Sequence, residues 1–101
     1  MALSPNSRYQ AAAGWCFRLF PAEGGVAYHP YRGEFYALDR RAAFVFSRLI
    51  DQPHALGRLV VESHAAFPDA LLTAEEIFEI VETLCQTGMV RPCQSGNDSP
   101  T

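Results

Sequence analysis

The chain has 101 residues, of which 49 % are hydrophobic, 12 % aromatic and 19 % charged. This length suits one domain with a single core, and the composition is too apolar for a disordered chain. The net charge is -3, and the basic residues, all arginine, are scattered along the sequence. Because nucleic-acid binders concentrate positive charge on one face, we expect no nucleic acid as a partner.

The cysteines indicate the compartment. Cys16, Cys85 and Cys93 form no C-x-x-C pair, and any disulfide scheme leaves one of them unpaired. Reduced thiols are the simpler interpretation. Pro5 and Asn6 stand where the apolar segment of a signal peptide would begin, and no apolar run approaches the length of a membrane span. We therefore expect a cytoplasmic protein without a membrane partner.

Both ends of the sequence lack sustained hydrophobic periodicity. Residues 1–13 carry small and polar side chains with an alanine triplet, and residues 93–101 are mostly polar. Such segments are typical of flexible tails. We predict tails over 1–13 and 93–101 and one ordered domain over 14–92.

The first half of that domain alternates between apolar and polar residues with a period of two, which predicts strands. The three predicted strands cover residues 15–20, 26–29 and 34–38. Glu23, Gly24 and Gly25 supply flexible turn residues before the second strand, and Gly33 fits the positive φ of a turn before the third. These features predict an antiparallel meander.

The second half changes to helical periodicity, with predicted helices over about 40–50, 56–67 and 74–88. Asp39 is a good N-cap for the first helix, Thr73 and Glu76 form a capping box for the third, and Gly88 is typical of a helix end. Three strands followed by three helices predict an α+β fold, a three-stranded antiparallel sheet packed on helices. This order is close to that of a winged helix with its wing placed first.

Several short motifs carry a family resemblance. Residues 33–39 read Gly-Glu-Phe-Tyr-Ala-Leu-Asp, and the third predicted helix ends in Leu84 followed by Gly88-Met89-Val90. Their order and spacing resemble the PqqD family, named for the pyrroloquinoline quinone pathway. Its hallmark is a strand ending in aromatic-x-Leu-(Asn/Asp), then three helices, the last ending in Leu-x-x-x-Gly plus two apolar residues. Tyr36, Leu38, Asp39, Leu84 and Gly88 match.

The resemblance covers about residues 14–92 and implies a PqqD-like peptide-binding domain. Members of this family are peptide chaperones that bind the leader segment of a ribosomally made precursor peptide and present it to a modifying enzyme. The resemblance implies that the leader lies as an added strand beside the third predicted strand, in the groove before the third helix. Residues 51–54, Asp-Gln-Pro-His, depart from the Asp-Gly that the family often has after its first helix.

A physical argument favours the same place, because the last strand of a meander has an unpaired row of backbone groups. Phe78 and Cys85 of the third helix widen its apolar face beyond what one packing surface requires. We expect them to form the floor of the groove. Glutamates at 75, 79 and 82 would line it and favour a guest carrying Lys or Arg. The candidate peptide-binding residues are Glu34, Phe35, Tyr36, Ala37, Phe78, Val81, Glu82 and Cys85.

Each of these interpretations has a simpler alternative. Phe78 and Cys85 suit core packing equally well, and the glutamates suit a solvated helix face. Arg40 and Arg41 occupy the first turn of a helix, where the helix dipole disfavours positive charge. They are either solvated or placed for an acidic guest or partner enzyme.

The sequence shows no apparatus for catalysis, so we predict neither enzyme activity nor a cofactor. His29, His54 and His64 lack metal-ligand spacing, and no Gly-rich phosphate loop or GxSxG is present. Two other functions remain open: a docking or regulatory module on a larger enzyme, and a winged-helix DNA-binding regulator. The second is disfavoured because the third helix carries four glutamates and no Lys or Arg. The unpaired edge also leaves a homodimer open.

Overall fold

A computed structural model describes residues 6–20, 22–70 and 72–93. The elements in chain order are β1 (Arg8–Ala11), β2 (Cys16–Phe20), β3 (Gly24–His29), β4 (Glu34–Leu38), α1 (Arg40–Asp51), β5 (His54–Ala55), α2 (Leu56–Ala66), α3 (Ala74–Gln86) and β6 (Val90–Pro92). The strands form two antiparallel sheets of three strands each. With the three helices they make an α+β fold, which confirms the predicted class.

The larger sheet is the predicted meander, with the strand order β2-β3-β4. Phe17 of β2 aligns with Ala27, which aligns with Tyr36, so these three side chains share the inner face. The Phe17 ring packs edge-to-face on Phe46 of α1, with 5.3 Å between ring centroids. β2 and β4 are therefore the edges of this sheet.

Gly24 and Gly25 lie inside β3 and not in the turn predicted for them. A Cβ on Gly25 would come within 2.7 Å of the Phe17 ring, and a Cβ on Gly24 would overlap the carbonyl oxygen of Leu38. Close packing across the sheet therefore explains both glycines. Gly33 has the predicted positive φ, at 68°.

The predicted caps fix where α1 and α3 begin. Asp39 Oδ1 accepts a hydrogen bond from the Ala42 N–H at 2.8 Å. Thr73 and Glu76 make both bonds of the capping box, at 3.1 and 2.9 Å. These bonds satisfy backbone donors that the first turn of a helix leaves unpaired. Because Asp39 directly follows β4, its cap also sets the direction in which α1 leaves the sheet.

The smaller sheet has the order β5-β1-β6 and was not predicted. Tyr9 of β1 aligns with His54 on one side and with Pro92 on the other. Beyond the strands, the Ala12 N–H donates to the Met89 carbonyl at 2.9 Å. The N-terminal segment is thus held by backbone pairing to two distant parts of the chain.

The predicted flexible tail over 1–13 is therefore wrong where β1 forms. The Cys93 N–H donates to the Arg8 carbonyl at 2.8 Å, so the ordered domain extends past both predicted ends, 14 and 92. The backbone hydrogen bonds offset the conformational entropy that these residues lose when they become ordered. The rest of the predicted tails, 1–5 and 94–101, lies outside the described residues.

The core lies between the helices and the inner face of the larger sheet. Its most deeply buried apolar side chains are Ala27, Ala43, Val45, Phe46, Leu49, Leu56, Leu59, Leu72, Ile77, Val81, Leu84 and Met89. Those on the helices recur at helical spacing, and Ala27, Leu72 and Met89 join them from β3 and from the segments before and after α3. No helix in the described part of the chain is long and apolar enough to cross a bilayer.

Candidate functional site

A cleft of about 540 Å³ lies between the edge strand β4 and α3. We call it the β4-α3 cleft. Its lining residues come from β4, the start of α1, α3 and the turn after α3: Tyr36, Ala37, Leu38, Asp39, Arg41, Ala42, Glu76, Glu79, Ile80, Thr83, Leu84, Thr87 and Met89. An edge strand therefore borders a concave surface large enough for side chains of a bound segment.

The floor of the cleft is apolar. Tyr36, Leu38 and Ile80 are half-buried and pack against the core, and Leu84 and Met89 belong to the core itself. Half-buried apolar surface favours a ligand that covers it, because burial removes that surface from water.

The outer edge of β4 has no strand partner in residues 6–20, 22–70 and 72–93. Natural edge strands are usually protected by charge, by proline or by extreme shortness. β4 has five residues, and its one charged side chain, Glu34, pairs with Arg32 at 3.0 Å. Phe35 is 72 % exposed. The edge is therefore unprotected and can accept another strand.

Carboxylates outnumber cations around the cleft. The lining contains three carboxylates, those of Asp39, Glu76 and Glu79, and one guanidinium, that of Arg41. Asp39 and Glu76 also cap α1 and α3, whereas Glu79 has no capping bond or ion pair within the described residues. This balance favours a ligand with positive charge.

Aromatic contacts join β4 to the C-terminal end of α3. The rings of Tyr36 and Trp15 lie 5.9 Å apart, and Trp15 Nε1 donates a hydrogen bond to the Gly88 carbonyl at 3.1 Å. The Arg32 guanidinium lies 5.8 Å from the centre of the Trp15 ring. These contacts hold the two walls of the cleft together at one end.

The structure brings two of the predicted β4 residues, Tyr36 and Ala37, to the cleft lining. Glu34 and Phe35 lie on the same strand outside that lining. Phe35 aligns with Tyr28 of β3, and both side chains lie on the outer face of the sheet, away from the core. The predicted strand is thus in place, and its second half, Tyr36, Ala37 and Leu38, borders the cleft.

The four candidate residues of α3 lie elsewhere. Val81 is fully buried in the core, and Phe78 and Cys85 are half-buried against it. Burial, followed by the Glu82 carboxylate, raises the pKa of Cys85. Burial, followed by Cys85 and Glu82, raises the pKa of Tyr9. This flank of α3 therefore faces β1. The prediction that Phe78 and Cys85 form the floor of the groove is wrong, because these residues lie on the flank of α3 away from β4.

Ile80, Thr83 and Thr87 form the flank that borders the cleft, and they were missed. At about 100° per residue, Ile80 and Cys85 lie on opposite sides of the core stripe. Both flanks adjoin that stripe, so the sequence contains no sign of which one faces β4. Of the predicted glutamates 75, 79 and 82, only Glu79 lines the cleft.

The histidines have separate structural contacts. His54 Nδ1 lies 2.9 Å from the Gln52 carbonyl, and His64 Nε2 lies 2.7 Å from the Leu72 carbonyl. His29 Nδ1 accepts from the Arg32 N–H at 3.2 Å. Among the residues placed by the structure, no three His, Cys, Asp or Glu side chains are grouped to hold a metal ion.

Comparison of the chain with protein-family models, with curated proteins and with solved structures finds no match in any of the three. The geometry of the β4-α3 cleft is therefore the basis for a functional proposal.

Proposed function

We propose that this protein is a non-enzymatic peptide chaperone that holds an extended segment of a precursor peptide against β4 and presents it to a modifying enzyme. The observation that carries the proposal is the β4-α3 cleft, where an unprotected strand edge borders an apolar floor. The edge supplies hydrogen bonds to any backbone, and the floor selects side chains. That the guest is the leader of a ribosomal precursor rests on the resemblance to PqqD.

The lining of the cleft also indicates which side chains the bound peptide should carry. Paired with five residues of β4, the guest directs every second side chain to the floor formed by Tyr36, Leu38 and Ile80. Apolar side chains suit these positions. A Lys or Arg at the rim lies near Glu79 and within the field of the two capping carboxylates.

The proposal places the protein in the cytoplasm. Cys16, Cys85 and Cys93 are free thiols, which a reducing compartment preserves. A ribosomally made precursor would meet its chaperone there.

Binding of a labelled peptide tests the proposal. The probe is acetyl-Lys-Ser-Val-Ser-Phe-Ser-Lys-amide, in which Lys, Val and Phe share one face of the strand. It is compared by fluorescence anisotropy with the same sequence carrying N-methyl groups on alternate amides. We expect the first peptide to bind and the methylated peptide to lose binding, because strand addition needs its N–H groups. Ile80→Arg should weaken binding by about tenfold, through lost apolar contact and added positive charge.

Gln86→Arg is the matched control, because Gln86 is an exposed residue of α3 outside the cleft lining. It should leave the affinity unchanged. Equal binding of both peptides, or no binding at millimolar concentration, would overturn the proposal.

One observation favours a second candidate, a docking module on a larger enzyme. Tyr28 and Phe35 are 43 % and 72 % exposed, and they are neighbours on the outer face of the larger sheet. A folded enzyme docked on this face would bind without any peptide and would lose affinity on Phe35→Ser. A pull-down with the modifying enzyme, with and without the peptide, distinguishes the two functions.

A further inference from the structure

A second pocket, of about 310 Å³, lies at the other edge of the larger sheet, between β2 and α1. We call it the β2-α1 pocket. Its lining residues are Leu19, Phe20, Ala22, Gly24, Arg40, Phe44, Ser47, Arg48 and Phe67. None of them lines the β4-α3 cleft. The two edges of the meander therefore carry separate concave surfaces.

Aromatic and aliphatic side chains line the interior and rim of the pocket. The rings of Phe44 and Phe67 meet edge-to-face, with 5.5 Å between centroids. Leu19 and Phe20 of β2 are 51 % and 42 % exposed beside them. Exposed apolar side chains next to a pocket favour a ligand with an apolar group of its own.

Two arginines are stacked on these rings. The guanidinium carbon of Arg40 lies 5.4 Å from the centre of the Phe67 ring, and that of Arg48 lies 5.1 Å from the centre of the Phe44 ring. Stacking restricts a guanidinium while leaving its N–H groups free to bind a carboxylate. The pocket thus combines apolar surface with oriented positive charge.

The charge of Arg40 is not compensated by an ion pair in the parts of the chain that the structure describes. Arg48 shares Glu62, at 3.4 Å, with His54 and Arg58. Arg40 also lies in the first turn of α1, where the helix dipole disfavours a cation. The dipole at this end of the helix therefore favours an anion beside Arg40.

We propose that the β2-α1 pocket binds an acidic peptide segment with an apolar side chain, extended along the outer edge of β2, which has no strand partner among the described residues. Carboxylates of the peptide pair with Arg40 and Arg48, and its apolar side chain packs beside Phe44 and Phe67. This site lies beyond the proposed function and has the opposite charge preference. Two guanidinium groups and no carboxylate line the pocket, whereas three carboxylates and one guanidinium line the β4-α3 cleft.

Nearby charges do not reverse this preference. Glu23 and Asp39 line a neighbouring depression together with Arg40 and Arg41, and Asp39 is held as the cap of α1. The segments of the chain outside the structure are poor occupants. Residues 1–5 contain no acid, and residues 94–101 contain one Asp and no large apolar side chain. The occupant we assign to the pocket is an acidic segment of another protein, matched by charge to the two guanidinium groups that line it.

A charge-swapped probe tests the inference on the full chain. Acetyl-Glu-Ser-Val-Ser-Phe-Ser-Glu-amide differs from the basic probe only in its two charged residues, which share a face with Val and Phe. In amide NMR titrations we expect it to shift resonances of residues 18–20, Arg40, Phe44, Arg48 and Phe67. Arg40→Gln should weaken its binding by about fivefold or more, and added salt should weaken it further.

Arg91→Gln is the matched control, because it makes the same change in charge at an exposed residue of β6 that lines neither the β2-α1 pocket nor the β4-α3 cleft. It should leave the acidic probe unaffected. The proposal is overturned by absent shifts, by shifts at the β4-α3 cleft or by equal loss in both variants. It is also overturned if sedimentation shows a dimer that Arg40→Gln dissociates, because a second copy would then occupy this face. Arg40→Gln should not alter binding of the basic probe, so this proposal and the proposed function fail separately.

Discussion

The two flanks of α3 have different surroundings. Phe78 and Cys85 lie on the flank toward β1, whereas Ile80, Thr83 and Thr87 border the β4-α3 cleft. The more apolar flank is thus the covered one, and the open flank mixes an aliphatic side chain with hydroxyls. Packing against the core beside β1 therefore accounts for Phe78 and Cys85.

The largest expected effect on stability comes from placing an aspartate on each flank in turn, which compares the two flanks directly. Cys85→Asp places a carboxylate in a half-buried site beside Glu82 and Tyr9, and it should destabilise the fold by about 2 kcal/mol. Thr83→Asp lies on the open flank of the same helix half and should cost less than about 0.5 kcal/mol. Urea unfolding measures both.

The helix dipole acts on both aspartates alike, so the difference between the variants isolates the flank. Equal destabilisation by the two substitutions would contradict the assignment of the covered and open sides.

The next effect concerns charge on the open flank. Glu79→Lys removes a carboxylate from the cleft rim and should weaken binding of the basic peptide by about fivefold, or about 1 kcal/mol. Glu75→Lys makes the same change in charge outside the cleft lining and should have a smaller effect. Anisotropy titration at low salt compares them, and equal losses would show that only the net charge matters.

A smaller effect is expected at the thiol on the covered flank. Burial and Glu82 raise the pKa of Cys85, so less thiolate is present at mildly alkaline pH and alkylation should be slower than in the unfolded chain. Glu82→Gln should lower the pKa and speed alkylation by less than unfolding does. Mass spectrometry after iodoacetamide treatment measures both rates, and a thiol as reactive as in the unfolded chain would place Cys85 in the open.

The pH dependence of stability gives the smallest expected effect. Burial in the folded state raises the pKa values of Cys85 and Tyr9 above their ordinary ranges, because it disfavours the charged forms. Their contribution is fully present below the unfolded-state values and is lost as the pH rises through the folded-state values. The free energy of unfolding should therefore fall in alkaline solution, and less so in Tyr9→Phe. Urea unfolding at a series of pH values tests this. A free energy of unfolding that does not change in alkaline solution would contradict the burial of Cys85 and Tyr9 beside each other.

Local sequence rules predicted the elements whose stability comes from neighbours in sequence. Asp39 and the Thr73–Glu76 box set the starts of α1 and α3, and alternation located the meander. Helical spacing predicts a core stripe of Ile77, Ile80, Val81 and Leu84 on α3. The structure buries three of them, whereas Ile80 is half-buried and borders the cleft. These features depend on backbone hydrogen bonds and side chains within a few residues.

The missed features depend on contacts distant in sequence. β1 contains one large apolar residue, Tyr9, and it is held by strands of two and three residues formed by other parts of the chain. Its alternation is too short to predict a strand. Because β1 was missed, the covering of the Phe78 flank was missed too, and the groove was assigned to the wrong side of α3.

Mapping the basic peptide by amide NMR tests the central claim most directly. If the guest adds to β4 and fills the β4-α3 cleft, resonances of Ala37, Ile80 and Thr83 shift on titration while those of Tyr9, Phe78 and Cys85 stay in place. Shifts centred on the second group, or on neither, would contradict the account.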